Sequence, residues 1–238
     1  MKKILTLAMF AVLAGTCNAQ INLNGITDEI KNTIGKNSLS EEEVVKGLKE
    51  ALTVGTNNSV TTASKFDGFF KNPAIKIPFP KEAQEMERTL RSLGMDKQVN
   101  QFVMTLNRAA ENAAKDAAPI FIEAIKNISI TDAFNILKGA DDAATVFLKN
   151  ATTAQLKEKF RPVIKNSLQK VAITKYWKPL ANKYNKLPMV KKINPNLEEY
   201  VTGKVIQGIF HLIAEEEKKI RKDPLARVSD ILKKVFGN

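Results

Sequence analysis

Ser129-Ile-Thr-Asp-Ala-Phe-Asn-Ile-Leu-Lys-Gly139-Ala-Asp-Asp-Ala-Ala-Thr-Val-Phe-Leu-Lys149 is the stretch that decides how this chain folds. It reads as two short helices meeting at Gly139. Thr131 is placed to cap the first, Gly139 to end it in the left-handed conformation, and Asp141 and Asp142 to open the second. A carboxylate at a helix N-terminus is stabilised by the helix dipole by roughly 0.3–1 kcal/mol. Longer helical patterns lie on both sides, so the chain is expected to fold back on itself here.

Upstream, Ser40-Glu41-Glu42-Glu43 is a capping box, with Ser at the cap and Glu three residues on. Val44, Val45, Leu48, Ala51 and Leu52 follow at helical spacing, a pattern that weakens toward Val60. Residues 66–80 break the helical pattern, because Pro73, Pro78 and Pro80 forbid a continuous helix. Phe66, Phe69, Phe70, Ile75, Ile77 and Phe79 are too many large apolar groups for a free loop, so this Phe/Pro-rich extended arm is expected to pack onto the helices. Met86, Leu90 and Leu93 mark a short helix closed by Gly94. Asp96 is placed to cap the next, in which Val99, Phe102, Val103, Leu106, Ala110 and Ala113 form a stripe and Ala109, Ala110, Ala113 and Ala114 a small-residue surface for close packing. Phe121, Ile122 and Ile125 follow as an inward set behind Pro119.

Downstream of the hinge, Thr152 or Thr153 is placed to cap a helix carrying Leu156, Phe160, Val163, Ile164, Leu168 and Val171, with a break expected at Pro162. Tyr176, Trp177, Leu180, Tyr184 and Leu187 continue helically past Pro179. The longest uninterrupted pattern is Leu197, Val201, Val205, Ile209, Leu212, Ile213 and Ile220. Asp223-Pro224 stops it and caps a final helix expected to dock on the body. The reading is all-α: a single irregular bundle of about eight to ten helices over residues 39–238, with the arm near residues 66–80.

Residues 1–19 have the layout of a secretory signal peptide. Lys2 and Lys3 precede an apolar core at residues 4–13, and Cys17-Asn18-Ala19 offers small residues for cleavage before Gln20. The rival reading makes Cys17 the lipidated residue of a lipoprotein. Residues 20–38, rich in Asn, Gly and Thr, read as a flexible tether. Export to the periplasm is the expectation. Cleavage after Ala19 removes the one cysteine and, with it, disulfide and thiol chemistry.

The net charge of +12 is unevenly placed. Residues 20–149 carry 16 basic and 17 acidic side chains, whereas residues 150–238 carry 19 and 8. Eleven basic residues stand between Lys157 and Lys192 against the single acid Glu158. Lys165, Lys170, Lys175, Lys178 and Lys183, interleaved with Tyr176, Trp177 and Tyr184, fit an anionic lipid or glycan surface. They fit a plain solvated face as well, and nucleic acid less well because no nucleic-acid motif accompanies them.

His211 is the only histidine, which excludes the paired His motifs of zinc and di-iron sites. There is no Gly-rich phosphate loop, no nucleophile elbow and no clustered set of metal ligands, so no cofactor or metal is expected and no catalytic residue can be named. A ligand pocket or hydrolase site would have to be assembled from Asp141, Asp142, Arg108, Arg161, Glu216 and Arg221, with an inward Glu216 meeting Arg161 or Arg108. Glu215–Lys219 and Glu217–Arg221 have the i, i+4 spacing of ion pairs on a solvated face.

Several of these segments together resemble a known family. Ser40-Glu41-Glu42-Glu43, Gly47-Leu48-Lys49-Glu50-Ala51-Leu52 and Phe69-Phe70-Lys71-Asn72-Pro73-Ala74-Ile75-Lys76-Ile77-Pro78 are similar to the opening of a bacterial exported family catalogued as domain of unknown function 4197. The similarity continues through Leu106-Asn107-Arg108-Ala109-Ala110-Glu111, Gly139-Ala140-Asp141-Asp142-Ala143-Ala144-Thr145 and Phe160-Arg161-Pro162. It ends with Ala214-Glu215-Glu216-Glu217-Lys218-Lys219-Ile220-Arg221 and Leu232-Lys233-Lys234-Val235-Phe236-Gly237. The resemblance implies a single exported helical domain in a Gram-negative envelope and brings no activity, ligand or catalytic residue. The expected function is non-enzymatic binding of an anionic envelope component or a protein partner. A small-ligand or hydrolase pocket and a purely structural envelope protein are the alternatives.

Overall fold

A computed structural model describes residues 40–92, 94–169, 177, 182, 185–186, 188–189, 192–193, 196–227, 230, 233 and 235, all within the compact unit Leu39–Asn238. In chain order the α-helices are α1 (Glu41–Ser64), α2 (Gln84–Ser92), α3 (Asp96–Ala114), α4 (Ala117–Lys126), α5 (Ile130–Lys138), α6 (Ala143–Gln169) and α7 (Leu197–Lys222). Single 3-10 turns lie at Lys81–Ala83 and Pro224–Ala226, and no strand occurs among the described residues. The fold is all-α.

α7 packs on α1, α3 and α6, and α3 packs on α1 and α6; α4 and α5 each bridge α1 and α6, and α2 lies on α3. α1 starts at the capping box, where Ser40 Oγ accepts from Glu43 N and the Glu43 carboxylate accepts from Ser40 N. It runs on to Ser64, past the expected fading near Val60, because Gly55, Thr56, Ser59 and Ala63 extend its buried stripe. The Thr56 and Ser59 hydroxyls donate to the Leu52 and Gly55 carbonyls, so their burial strands no polar group. α7 lies antiparallel on this stripe. Gly55 faces Glu216 and Ile220, and Gly208, further up α7, faces Phe69 just beyond the end of α1. A Cβ at Gly208 would stand 2.8 Å from the Phe69 ring, so the arm and α7 touch only because that residue is glycine.

Four expectations about boundaries need correcting. Ser129, not Thr131, caps α5, through a capping box with Asp132. Gly139 ends α5 in extended backbone (φ −78, ψ −175) rather than left-handed; its missing Cβ matters because one would lie 2.6 Å from the Ala143 Cβ. Met95, not Asp96, occupies the cap position of α3, and Asp96 instead pairs with Arg91. α6 is one helix of 27 residues where two were expected. Thr152 is buried inside it with its hydroxyl returned to the Leu148 carbonyl, so no new start is needed there. The helix also continues through Pro162, whose missing N–H leaves the Glu158 carbonyl without its helical donor.

The arm packs as expected at Phe69, Ile75, Ile77 and Phe79, which are buried. Phe66 departs from that expectation at 78 % exposure. Trp177 also departs from its expected place on a basic surface: it is buried, stacked on Phe102 at 5.5 Å and edge-on to Phe79 at 5.7 Å. Leu225, expected to dock with a final helix, is 90 % exposed, and residues 228–238 lie mostly outside the described residues. No helix of the described residues is long and apolar enough to cross a membrane.

Candidate functional site

The hinge after α5 is held from a distance. Glu217, buried on α7, accepts hydrogen bonds from Ala144 N at 3.0 Å, Thr145 N at 2.9 Å and the Thr145 hydroxyl at 2.8 Å. The two amides are orphan donors in the first turn of α6, so the capping carboxylate comes from another helix rather than from Asp141 or Asp142. Arg221, one turn further along α7, pairs with Glu217 at 2.9 Å and donates to the Ile136 and Leu137 carbonyls at the end of α5. One ion pair therefore satisfies the end of one helix and the start of the next, and pins the hinge to α7. Asp141 stands outside this arrangement, exposed and paired with Lys222, while the Asp142 carbonyl accepts from Val146 N.

A second buried carboxylate holds the arm. Glu111 on α3 accepts from Phe69 N at 3.1 Å and Phe70 N at 3.2 Å through one oxygen and from Arg108 at 2.5 Å through the other. Arg108 also reaches Asp67 at 2.5 Å, and Asp67 in turn binds Lys71 at 2.8 Å. Four residues earlier on α3, buried Asn107 donates to the Ile77 carbonyl and accepts from Ile77 N, pairing with the arm as a strand would. Asp67 takes a left-handed conformation (φ 64), at a cost of roughly 1–2 kcal/mol, to turn the chain from α1 into the arm. Burial works against the Arg108 charge, but the bonds to Glu111 and Asp67 outweigh it and hold its pKa above the ordinary value.

The Lys71 ammonium, and after it Arg108, hold the Asp67 carboxyl below the ordinary aspartate value of 3.8. Lys222 does the same for Asp141, and Ser129 for Asp132. A carboxyl whose folded pKa is depressed adds stability that is fully present above its unfolded value and is lost as pH falls through the folded one. Acidification from about pH 5 to below about pH 3 is therefore expected to lower the unfolding midpoint, and D67N to flatten part of that dependence. A D67N profile that falls as steeply as the parent's would refute this.

The six candidate pocket residues do not meet. Arg108 belongs to the arm, and Arg221, Asp141 and Glu216 to the α7 end near the hinge. Arg161 is exposed on α6, 18 residues beyond Ala143 and thus roughly 27 Å along the helix. The inward glutamate is Glu217, not Glu216, which instead accepts from Lys219 at 2.5 Å and Asn58 at 3.1 Å. Of the two expected i, i+4 pairs, Glu217–Arg221 forms, whereas Lys219 turns to Glu216 rather than Glu215. His211 is exposed. An apolar cavity of about 20 Å³ between Leu48, Leu52, Gly55, Ala144, Ile213 and Ile220 reaches the Glu217–Arg221 pair. It is no larger than a water site needs. Among the described residues no group of three or more acidic, His or Cys side chains is placed to hold a metal.

The larger concavity lies elsewhere. Lys157, Arg161 and Lys165 stand at i, i+4 and i+8 on α6 and, with Ala154, Glu158, Pro162 and Glu198, line a hollow of about 510 Å³. All three cations are exposed, and among the described residues none forms an ion pair. They outnumber the two carboxylates of the lining, Glu158 and Glu198. Of the other expected surface lysines, Lys170, Lys175, Lys178 and Lys183 lie outside the described residues.

An all-α domain whose buried charges latch its own backbone, with an open basic hollow on α6, is the class of protein these features define. Residues 38–237 match the family described as protein of unknown function (DUF4197), and the chain belongs to that family. No curated protein and no solved structure matches the chain.

Proposed function

We propose that this is an exported, periplasmic protein that binds an anionic component of the cell envelope without catalysing a reaction. The observation that carries the reading is the row Lys157–Arg161–Lys165. Its three cations, without an ion pair among the described residues, stand about 6 Å apart along one helix face and open to a hollow of ligand size. The buried glutamates and their half-buried arginine partners support it by contrast. Glu111, Arg108, Glu217 and Arg221 commit their bonding capacity to backbone groups and to one another, which leaves none of them poised for proton transfer. The charge-rich second half of the chain adds long-range attraction to the same kind of partner.

Sedimentation of residues 20–238 with anionic and neutral vesicles tests the reading. Binding is expected to anionic vesicles only and to fade as the Debye length shrinks from about 30 Å at 0.01 M salt to about 8 Å at 0.15 M. K157E/R161E/K165E is expected to weaken it by about tenfold or more, since each cation near an anionic surface is worth about 1 kcal/mol. Equal binding by the parent and this variant would discard the α6 row as the binding face.

A further inference from the structure

We propose that the turn joining α1 to the arm is a bilayer contact, with the Phe66 ring entering the headgroup region of an anionic membrane. The Phe66 exposure is not slack in the fold, because the ring is set from beneath. The Arg108 guanidinium lies 3.7 Å from the ring centroid, and that guanidinium is clamped by Glu111 and Asp67. The backbone around it has no room to relax. Any Cβ at Gly68 would stand 2.3 Å from the Thr62 carbonyl oxygen, and Gly68 N already donates to the Lys65 carbonyl.

Besides Arg108, lysines accompany the turn. Lys65, Lys71 and Lys76 are exposed, and Lys76 lies over the Phe70 ring at 4.7 Å, beside Arg108. Among the described residues Lys65 and Lys76 form no ion pair. The two carboxylates of the cluster are taken up, Glu111 by Arg108 and the arm amides, Asp67 by Arg108 and Lys71. The turn and the start of the arm thus combine one exposed aromatic ring with exposed ammonium groups at Lys65, Lys71 and Lys76. An interfacial anchor has this composition: the ring enters the headgroup boundary while the lysines meet anionic lipid. An aromatic ring beside an arginine also suits a protein partner. Flexible lysines carry little shape information, however, and a fluid anionic surface satisfies them without any.

This contact stands on different residues from the α6 hollow, so the two readings succeed or fail separately. The double variant F66W/W177F, in residues 20–238, carries its single indole at position 66, where it reports the ring's surroundings. With vesicles of phosphatidylglycerol and phosphatidylethanolamine at low salt, its emission is expected to shift to the blue and to be quenched by lipids brominated high in the acyl chain. L225W/W177F, with its indole at another exposed apolar position, is expected to stay unshifted. In sedimentation with Trp177 in place, F66S is expected to weaken vesicle binding about tenfold, in keeping with removal of one large apolar side chain from the interface. Unshifted F66W/W177F emission on vesicles that do bind the protein overturns the proposal and leaves the α6 row as the contact. Equal shifts for F66W/W177F and L225W/W177F overturn it as general adsorption. A blue shift of the position-66 indole that persists when K157E/R161E/K165E is added supports it as a contact independent of the row. Should F66W/W177F fail to fold, the F66S sedimentation decides, and unchanged binding overturns the proposal.

Discussion

Replacing Glu217 with alanine is expected to lower the unfolding free energy by about 3–5 kcal/mol, the usual consequence of removing one partner of a buried ion pair. Three donors at the start of α6 lose their acceptor, and the half-buried Arg221 is left without its counter-charge. For a chain of this length, that corresponds to a fall in melting temperature of roughly 6–20 °C. E217Q keeps one acceptor oxygen and loses the charge, so it should fall between. Adding R221A to E217A should cost less than the sum of the single changes, because an unpaired Arg221 is itself part of the damage. The neighbouring E216A keeps its Cβ against Gly55, loses only the bonds to Asn58 and Lys219, and should stay within about 0.5 kcal/mol of the parent. Calorimetry or urea unfolding of the set checks this, and E217A behaving like E216A would contradict the hinge assignment.

Glu111→Ala should be of similar size, about 3–5 kcal/mol, but with a local signature. It strands the amides of Phe69 and Phe70 and removes one of the two carboxylates on Arg108. Asn107 still holds Ile77, so the arm should loosen first around residues 66–72 and only later lift away from α3. Limited proteolysis is expected to cut E111A in that segment under conditions that leave E217A intact there. Identical cleavage patterns for the two variants would mean that Glu111 stabilises the whole bundle and not the arm. E111Q should restore part of the protection, since its carbonyl oxygen remains able to accept one amide.

The fold class was legible because helical spacing is a local property. The capping box at Ser40, the small-residue face of α3 and the long stripe of α7 needed no knowledge of their partners. The packing of the arm was legible for a similar reason: Phe69, Ile75, Ile77 and Phe79, held by prolines, had nowhere else to go. The latches were half visible. Glu217 continues the row Val201, Val205, Ile209, Ile213 at the next i+4 step, so its burial could have been read from spacing alone. Its partners could not, because they lie 72 and 73 residues away and the hinge already offered two local aspartates for the same job. The same absence of distance information grouped Arg108, Arg161 and Arg221 into one pocket when each serves a different part of the bundle. Trp177 was assigned to the surface by the lysines around it, yet the ring follows its own apolar area into the space between Phe79 and Phe102.

The antiparallel embrace of α1 and α7 also sets a clock. Asn58 and Glu216, which meet across it, are 158 residues apart in sequence, so the first helix of the bundle waits for the last before its buried stripe is covered. Until then Leu48, Leu52 and Val60 have only the intermediate helices to rest on, and the hinge capped by Glu217 has no cap at all. A nascent chain lacking α7 should therefore remain loose and threadable, and should close only once α7 has been made. That lateness comes from nothing more than the order in which the helices are strung.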